Sequence, residues 1–276
     1  MNEAPLKLAV LMACHNRQEK TLRCIESLFA QQATDGIKPV VFLVDDGSTD
    51  DTGEAVRENY PDVRLITGDG GLFWCGGMRL AWQHAAREAP GAYLWLNDDV
   101  TLDPDALRKM AENARANPDA IIIGSSRCPE TGGHSYGGQR RLGRHPGKVE
   151  DVPPTGDVRE CDTFQGNLVW IPAAVYSKVG NMFPYRHAMA DTDYGYQAIK
   201  LGFRILIAPG YCATCPGNPG DSAWRNRSLP LRERFAKITS FKGLPPRDWC
   251  RFCLRHGGIL APFYFASPYI RVLLNR

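Results

Sequence analysis

The sequence predicts an α/β fold on an open, mostly parallel sheet, and two observations carry that reading. First, apolar runs of strand length alternate with segments of helical periodicity from Leu6 to about Gly124, the pattern of a doubly wound sheet. Second, acidic clusters stand at the ends of apolar runs in Val44-Asp45-Asp46-Gly47-Ser48-Thr49-Asp50 and Leu96-Asn97-Asp98-Asp99-Val100, with a third in Met189-Ala190-Asp191-Thr192-Asp193. Carboxylates at the carboxyl ends of buried strands lie where open α/β sheets bind their ligands. One such cluster could be turn chemistry, since Asp and Gly favour turns. Three suggest a converging acidic site, of the kind that holds a divalent cation against phosphates. The chain therefore reads as an enzyme acting on a phosphorylated small molecule.

Taken in order, Leu6 to Ala13 is a buried strand, His15-Asn16-Arg17 its loop, and Glu19 to Gln31 a helix with Leu22, Ile25, Ser27, Leu28 and Phe29 near one face. Val40 to Val44 is the second strand, and Asp50 or Thr49 caps a helix through Glu54-Ala55-Val56-Arg57. Val63 to Thr67 is a short third strand, followed by the glycine-rich loop Gly68-Asp69-Gly70-Gly71-Leu72-Phe73-Trp74-Cys75-Gly76-Gly77 and a helix from Met78 to Glu88. Tyr93 to Leu96 is the fourth strand. Pro104 opens a helix that ends near Asn117-Pro118, and Ala120 to Gly124 is the fifth strand. Turn residues such as Gly137-Gly138 and Pro153-Pro154 then indicate an irregular hairpin region, with short strands at Glu160 to Phe164 and Leu168 to Ile171. Thr192 to Leu201 is a helix stopped by Gly202, and Phe203 to Ala208 returns as a strand.

The 276 residues are 43% hydrophobic and 23% charged, ordinary values for a soluble globular protein. The net charge of +3 is unevenly placed: residues 224–276 carry eleven basic and two acidic side chains, a balance of +9, leaving 22 basic and 28 acidic residues elsewhere. This divides the chain into a body, 1–223, and a basic, aromatic extension, 224–276. The first residues lack a basic leader and no apolar run approaches the roughly 20 residues of a transmembrane helix, so a cytoplasmic location is expected. Nine scattered cysteines read as reduced thiols. Two C-x-x-C pairs, Cys212/Cys215 and Cys250/Cys253, suggest a zinc site, but the second lies in a helical pattern where Cys acts as a small core residue.

Cys14-His15-Asn16-Arg17, Asp45-Asp46-Gly47-Ser48-Thr49-Asp50, Asn97-Asp98-Asp99 and Asp191-Thr192-Asp193 before Leu201-Gly202-Phe203, in this order and at strand ends, resemble the family-2 inverting glycosyltransferases of the GT-A fold over about Leu6 to Pro209. The resemblance, rhamnosyltransferase-like, implies transfer of a sugar from a UDP- or dTDP-type donor to a glycan or lipid-linked acceptor in surface polysaccharide synthesis, with Mn²⁺ or Mg²⁺ as cofactor. It places Asn16, Arg17, Asp46, Gly71, Trp74, Gly76 and Asp98 at the nucleotide, Asp99 on the metal, Asp191 as general base, and Gln165, Gly166 and Asn167 at donor or acceptor sugar. Asp46 would read a base's imide N–H, for which an acceptor-only carboxylate is suited, while Asp45 supports the turn. Asp193 would serve catalysis through the acceptor or cap the next helix. Phe73 and Trp74 line a pocket or fill the core.

Two departures from the family pattern stand out. Asn97 replaces the first Asp of the Asp-x-Asp element. A further metal-ligand His is missing from Pro209-Gly210-Tyr211-Cys212-Ala213-Thr214-Cys215-Pro216-Gly217-Asn218, where Cys215, water or no ligand would take its place, a thiolate being soft for Mn²⁺ or Mg²⁺. The glycine-rich loop lacks the G-x-G-x-x-G spacing of a dinucleotide site, though its amides could still face a diphosphate. A sugar-1-phosphate nucleotidyltransferase is disfavoured because no glycine- and lysine/arginine-rich loop follows the first strand, and a catalytically silent scaffold because Asp99 and Asp191 are intact. Arg225, Arg227, Arg232, Arg234, Lys237, Lys242, Arg247, Arg251 and Arg255 precede an aromatic segment, Ile259 to Ile270, which Pro262 and Pro268 are expected to keep from forming one long helix. That tail would rest on a membrane surface, or else pack on the body or in a homodimer; nothing suggests nucleic acid as a partner.

Overall fold

In the computed structural model, residues 5–32, 34, 36–217 and 223–274 are described; Met1 to Ala4, and Asn218 at the end of the region searched for a ligand His, lie outside them. The strands are β1 (Leu6–Cys14), β2 (Ile37–Asp45), β3 (Arg64–Thr67), β4 (Ala92–Leu96), β5 (Thr101–Leu102), β6 (Ala120–Arg127), β7 (His134–Tyr136), β8 (Gly138–Arg141), β9 (Val149–Val152), β10 (Arg159–Glu160), β11 (Thr163–Phe164), β12 (Leu168–Pro172) and β13 (Arg204–Thr214). The helices are α1 (Gln18–Phe29), α2 (Thr52–Asn59), α3 (Phe73–Ala86), α4 (Ala106–Ala116), α5 (Ala173–Val179), α6 (Ala190–Lys200), α7 (Leu231–Thr239), α8 (Pro246–His256) and α9 (Ala261–Leu273).

The main sheet runs β10-β13-β6-β12-β4-β1-β2-β3, with β5 beside β13 and β7 beside β6. Strands β4, β1, β2 and β3 are mutually parallel, as the βα alternation predicts. Strand β12 enters antiparallel between β4 and β6, so the sheet is mixed at its centre. A smaller sheet, β11-β8-β9, stands apart.

Side-chain alternation sends the two faces of the sheet to two cores. Leu8, Val10 and Met12 of β1 join Ile25 and Leu28 of α1, Val56 of α2 and Met110 of α4. Ala9 and Leu11 join Met78 and Trp82 of α3, Tyr194 of α6, and Trp249 and Phe252 of α8. Helix α3 lies unusually close to the sheet: a Cβ on Gly77 would stand 2.7 Å from the Ala13 Cβ. Trp82 sits at the centre of the second core, its ring centroid 4.9 to 5.4 Å from those of Tyr93, Trp95, Tyr176 and Tyr194.

Three local expectations are corrected. Helix α3 begins at Phe73, not Met78, because Phe73 takes a left-handed φ of 54° that turns the chain directly out of the loop. Pro268 does not interrupt the C-terminal helix: α9 runs through it, and the Tyr264 carbonyl that Pro268 cannot serve accepts the Ser267 hydroxyl at 3.4 Å. Pro262 lies in the helix's first turn, where a missing N–H costs nothing. The third concerns zinc: Cys212 and Cys215 belong to one core and Cys253 to the other, so the two C-x-x-C pairs cannot share an ion.

The C-terminal helices complete the second core, to which they contribute Trp249, Phe252, Cys253, Ala261 and Tyr264. Among the described residues, no helix is long and apolar enough to cross a membrane. Because Trp82 is fully enclosed by aromatic rings, Trp82→Ala is expected to cost about 3–5 kcal/mol of stability, measurable as a lower urea midpoint at unchanged m.

Candidate active site

Three strand-end loops are tied to one another by side chain-to-backbone bonds. The Asn16 amide donates to Ser48 Oγ at 2.9 Å, and Asn16 Oδ1 accepts the Thr49 amide at 2.7 Å, joining the loop after β1 to the loop after β2. Asp50 extends the join by accepting the Gln18 amide at 3.1 Å and accepts the Thr52 amide at 3.2 Å; the N-cap position of α2 falls to Asp51, with a left-handed φ of 60° and no capping bond, rather than to Asp50 or Thr49. Asp45 accepts the Ser48 amide at 3.0 Å and shapes the turn as the sequence suggests. Asp46 reaches the other way, accepting the Gly70 and Phe73 amides at 2.9 Å on its two oxygens. That pair of bonds fixes the glycine-rich loop and the first turn of α3. Within this stretch Gly71 is exposed, while Gly76 is half-buried inside α3, its amide bonded to the Leu72 carbonyl.

The loop after β4 presents the Asp-x-Asp element. Arg17 Nη1 bridges it, 3.1 Å from Asp98 Oδ1 and 3.0 Å from Asp99 Oδ2. Asp98 is buried, and desolvation pushes its carboxyl up to about 6 against the opposing pull of Arg17. Asn97 faces sideways, its Oδ1 accepting the Trp74 indole N–H at 2.7 Å. The Cys215 thiol stands 3.6 Å from Asp99 Oδ1, to which it donates, and accepts from Asn167 Nδ2 at 3.6 Å. Burial, then the Asp99 charge, push that thiol well above its ordinary pKa, so Cys215 is a protonated donor to Asp99.

Asp98 and Asp99 already share a guanidinium cation, and their oxygens are the hard donors that Mg²⁺ or Mn²⁺ take. Among the described residues, no group of three or more His, Cys, Asp or Glu is placed to cage an ion. The residues therefore fit an ion held by one or two carboxylates and completed by substrate phosphates and water.

Asp191 opens α6. Its Oδ2 accepts the Gly166 amide at 3.1 Å and its Oδ1 the Thr192 amide at 2.8 Å. The residue is half-buried, and desolvation raises its pKa despite those two donors. Gly166 has no room for a side chain, since a Cβ would stand 2.7 Å from Trp74 Cζ2. Asn167 continues the link, its carbonyl accepting the Asn97 amide at 3.0 Å. Asp191, Gly166, Trp74, Asn97, Asn167, Cys215 and Asp99 thus form one connected set. Gln165 turns away from it, its Oε1 accepting the Gly137 amide at 3.0 Å.

Asp193 also points elsewhere. It is buried and accepts Arg255 through Nε at 2.6 Å and Nη2 at 3.0 Å, His256 Nε2 at 2.6 Å and the Tyr185 hydroxyl at 3.0 Å. These bonds outweigh its desolvation and lower its pKa. Neither Arg255 nor His256 is foreseen as a partner of Asp193 from sequence. The amphipathic spacing Trp249, Phe252, Cys253, His256 marks α8 as packed, but not against which helix.

Residues 9–187 match the family model described as glycosyl transferase family 2. The chain belongs to that family. Over 119 residues it is 32% identical to chondroitin synthase of Escherichia coli, a match covering 42% of this chain but 16% of that much longer protein. Among solved structures, a mannosyltransferase from Pyrobaculum calidifontis in complex with GDP-Man and Mn²⁺ superposes with a TM-score of 0.54 at 18% identity, covering 99% of this chain and 75% of that one. S. aureus TarS 1–349 gives 0.58 at 14% identity, over 98% and 80%. These neighbours establish the GT-A-type fold.

Gly166 predicts a separable effect on the site's frame. Gly166→Ala should displace Trp74, cost about 1–3 kcal/mol and shift the tryptophan emission. Gly156→Ala, where a Cβ meets nothing within 4 Å, should change stability by less than about 0.5 kcal/mol.

Proposed function

We propose that this glycosyltransferase is metal-dependent and inverting, using a UDP- or dTDP-linked sugar as donor and a hydroxyl of a glycan or lipid-linked acceptor. The carrying observation is Asp191, a half-buried carboxylate held by the Gly166 amide beside the Asp-x-Asp loop, its pKa raised by desolvation. A base in that state binds a proton more readily than an ordinary carboxylate. Asp191 takes the acceptor hydroxyl's proton while that oxygen bonds to the anomeric carbon from the face opposite the diphosphate. The bond from the anomeric carbon to the diphosphate oxygen breaks, and its electron pair leaves with the nucleotide. The transition state is oxocarbenium-like, as in glycoside hydrolysis.

Asp99, with Asp98 beside it, is the proposed holder of Mn²⁺ or Mg²⁺, which supplies Lewis-acid stabilisation to the departing diphosphate. Arg17 moves its cation from these carboxylates toward phosphate, and Asn16 keeps its loop in place. Asp46 reads the base's imide N–H with lone pairs left beside its two backbone donors. Gly71 and Gly76 give the nucleotide a close backbone approach, and Trp74 forms a wall of its pocket. Gly166 and Asn167 face the sugar, while Gln165, whose side chain is turned to Gly137, serves there by holding the neighbouring loop. Asp193 is assigned to positioning: through Arg255 and His256 it ties the extension, 224–276, to the helix that carries the base in the body, 1–223. A cytoplasmic setting and a part in surface polysaccharide synthesis complete the reading.

The assignments make three measurable demands. Asp99→Ala should abolish Mn²⁺-dependent UDP or dTDP affinity in isothermal titration while far-UV dichroism stays unchanged; equal affinity would remove Asp99 from the metal. Asp191→Asn should retain donor binding and lose about 10²–10⁴-fold in kcat; donor hydrolysis by the wild type separates a working enzyme from a silent scaffold. Asp191 must be ionised to act, and burial raises its pKa, so the acidic limb of kcat should fall above the ordinary carboxylate value of about 3.9 and vanish in Asp191→Asn. A limb near 6 that persists in nucleotide titrations of that variant belongs to Asp98.

A further inference from the structure

Helix α9 is apolar on two sides. Its inward line, Ala261, Tyr264, Pro268 and Val272, is buried. Its outward line is Phe263, Ile270 and Leu274, exposed at 65%, 49% and 59%, with Ile259 one turn earlier exposed at 96%. Separations of four, seven and four residues set these side chains along one stripe. The neighbouring helices repeat the feature: Leu254 of α8 is 66% exposed, and Leu231 and Phe235 of α7 are 48% and 40% exposed. Of fourteen large apolar side chains exposed among the described residues, nine lie in 231–274. A concentration of this kind marks a contact surface.

Charge selects the occupant. Residues 224–276 carry a balance of +9, and Arg225, Arg227, Arg232, Lys242, Arg247 and Arg271 are exposed. Arg234 and Arg255 belong to the same basic run but are withdrawn from it, Arg234 being buried with its Nε donating to the Trp224 carbonyl and Arg255 bound to Asp193. Two copies meeting through this segment would bring like charge together, whereas an anionic surface neutralises it. At 13 residues, α9 is about 20 Å long, well short of a ~30 Å hydrocarbon core. It can lie flat in an interface but cannot span one.

We propose that the outward face of α9, with the Gly258–Leu260 turn before it, docks on an anionic phospholipid surface. The docking is independent of the donor and acceptor assignments. The full-length protein is sedimented with vesicles of phosphatidylcholine alone or with about one-third phosphatidylglycerol, at about 50 and about 500 mM NaCl, where screening differs several-fold. Binding is expected only to the anionic vesicles, falling at least about fivefold at high salt. The double substitution Ile259→Ser, Phe263→Ser removes exposed side chains, so dichroism and melting temperature should hold while vesicle binding falls at least about fivefold. Protein remaining in the supernatant at low salt, or a double variant that binds as the wild type does, overturns the proposal. So does a dimer in light scattering that the double variant dissolves, since a second copy then covers the face.

Discussion

The bond from the Asn97 amide to the Asn167 carbonyl, 3.0 Å long, is the constraint on which the site depends. It exists because β12 enters the sheet antiparallel to β4 with Leu168 opposite Leu96, so one strand begins where the other ends. The metal-type carboxylates and the candidate base come from segments some ninety residues apart in the chain. This register brings them to one end of the central strands. Gly166, the residue before Asn167, can then offer its amide to Asp191, and Cys215 finds both Asn167 and Asp99 within reach. Slipping a strand by one residue would reverse every side chain along it and separate the two halves of the site.

What could be read from the sequence follows from how locally each feature is determined. The alternation of apolar strands with amphipathic helices depends on short-range periodicity, and β1, β2, β4, α1 and α4 appear within a few residues of where it places them. Turn chemistry was legible for the same reason: Asp45 bonds to Ser48 and Asp50 to Thr52, each within a few residues, although the further bond from Gln18 to Asp50 was not. The antiparallel entry of β12 was not legible, because a buried strand reads alike in either direction. The early start of α3 was hidden by a left-handed Phe73, a conformation that glycine rather than phenylalanine ordinarily signals. Asp46 was recognisable as a site residue, but not its two bonds to Gly70 and Phe73 across 24 and 27 residues.

The acidic site also holds its own counter-ion. Arg17, the residue from which α1 starts, bridges Asp98 and Asp99, and without that guanidinium the desolvated Asp98 would be pushed further from ionisation. On the other side Cys215, itself held by the Asn167 amide, orients Asp99 with a thiol donor too weak to compete with a cation. The acidity of the cleft is thus tempered from within the fold.

The clamp of Arg255, His256 and Tyr185 on Asp193 bears on how such enzymes can be recombined. A C-terminal segment that merely trailed from the body could be exchanged between relatives to alter what they modify. Here a carboxylate two residues from the candidate base has three of its four donor contacts in the segment to be exchanged. A chimera joined near residue 224 would leave a buried anion with only the Tyr185 hydroxyl beside it, next to the candidate base, unless the incoming sequence restored a guanidinium and an imidazole at the same helical positions. The functional seam of the molecule therefore runs through the α6–α8 contact, and exchanges that respect it must carry both sides together.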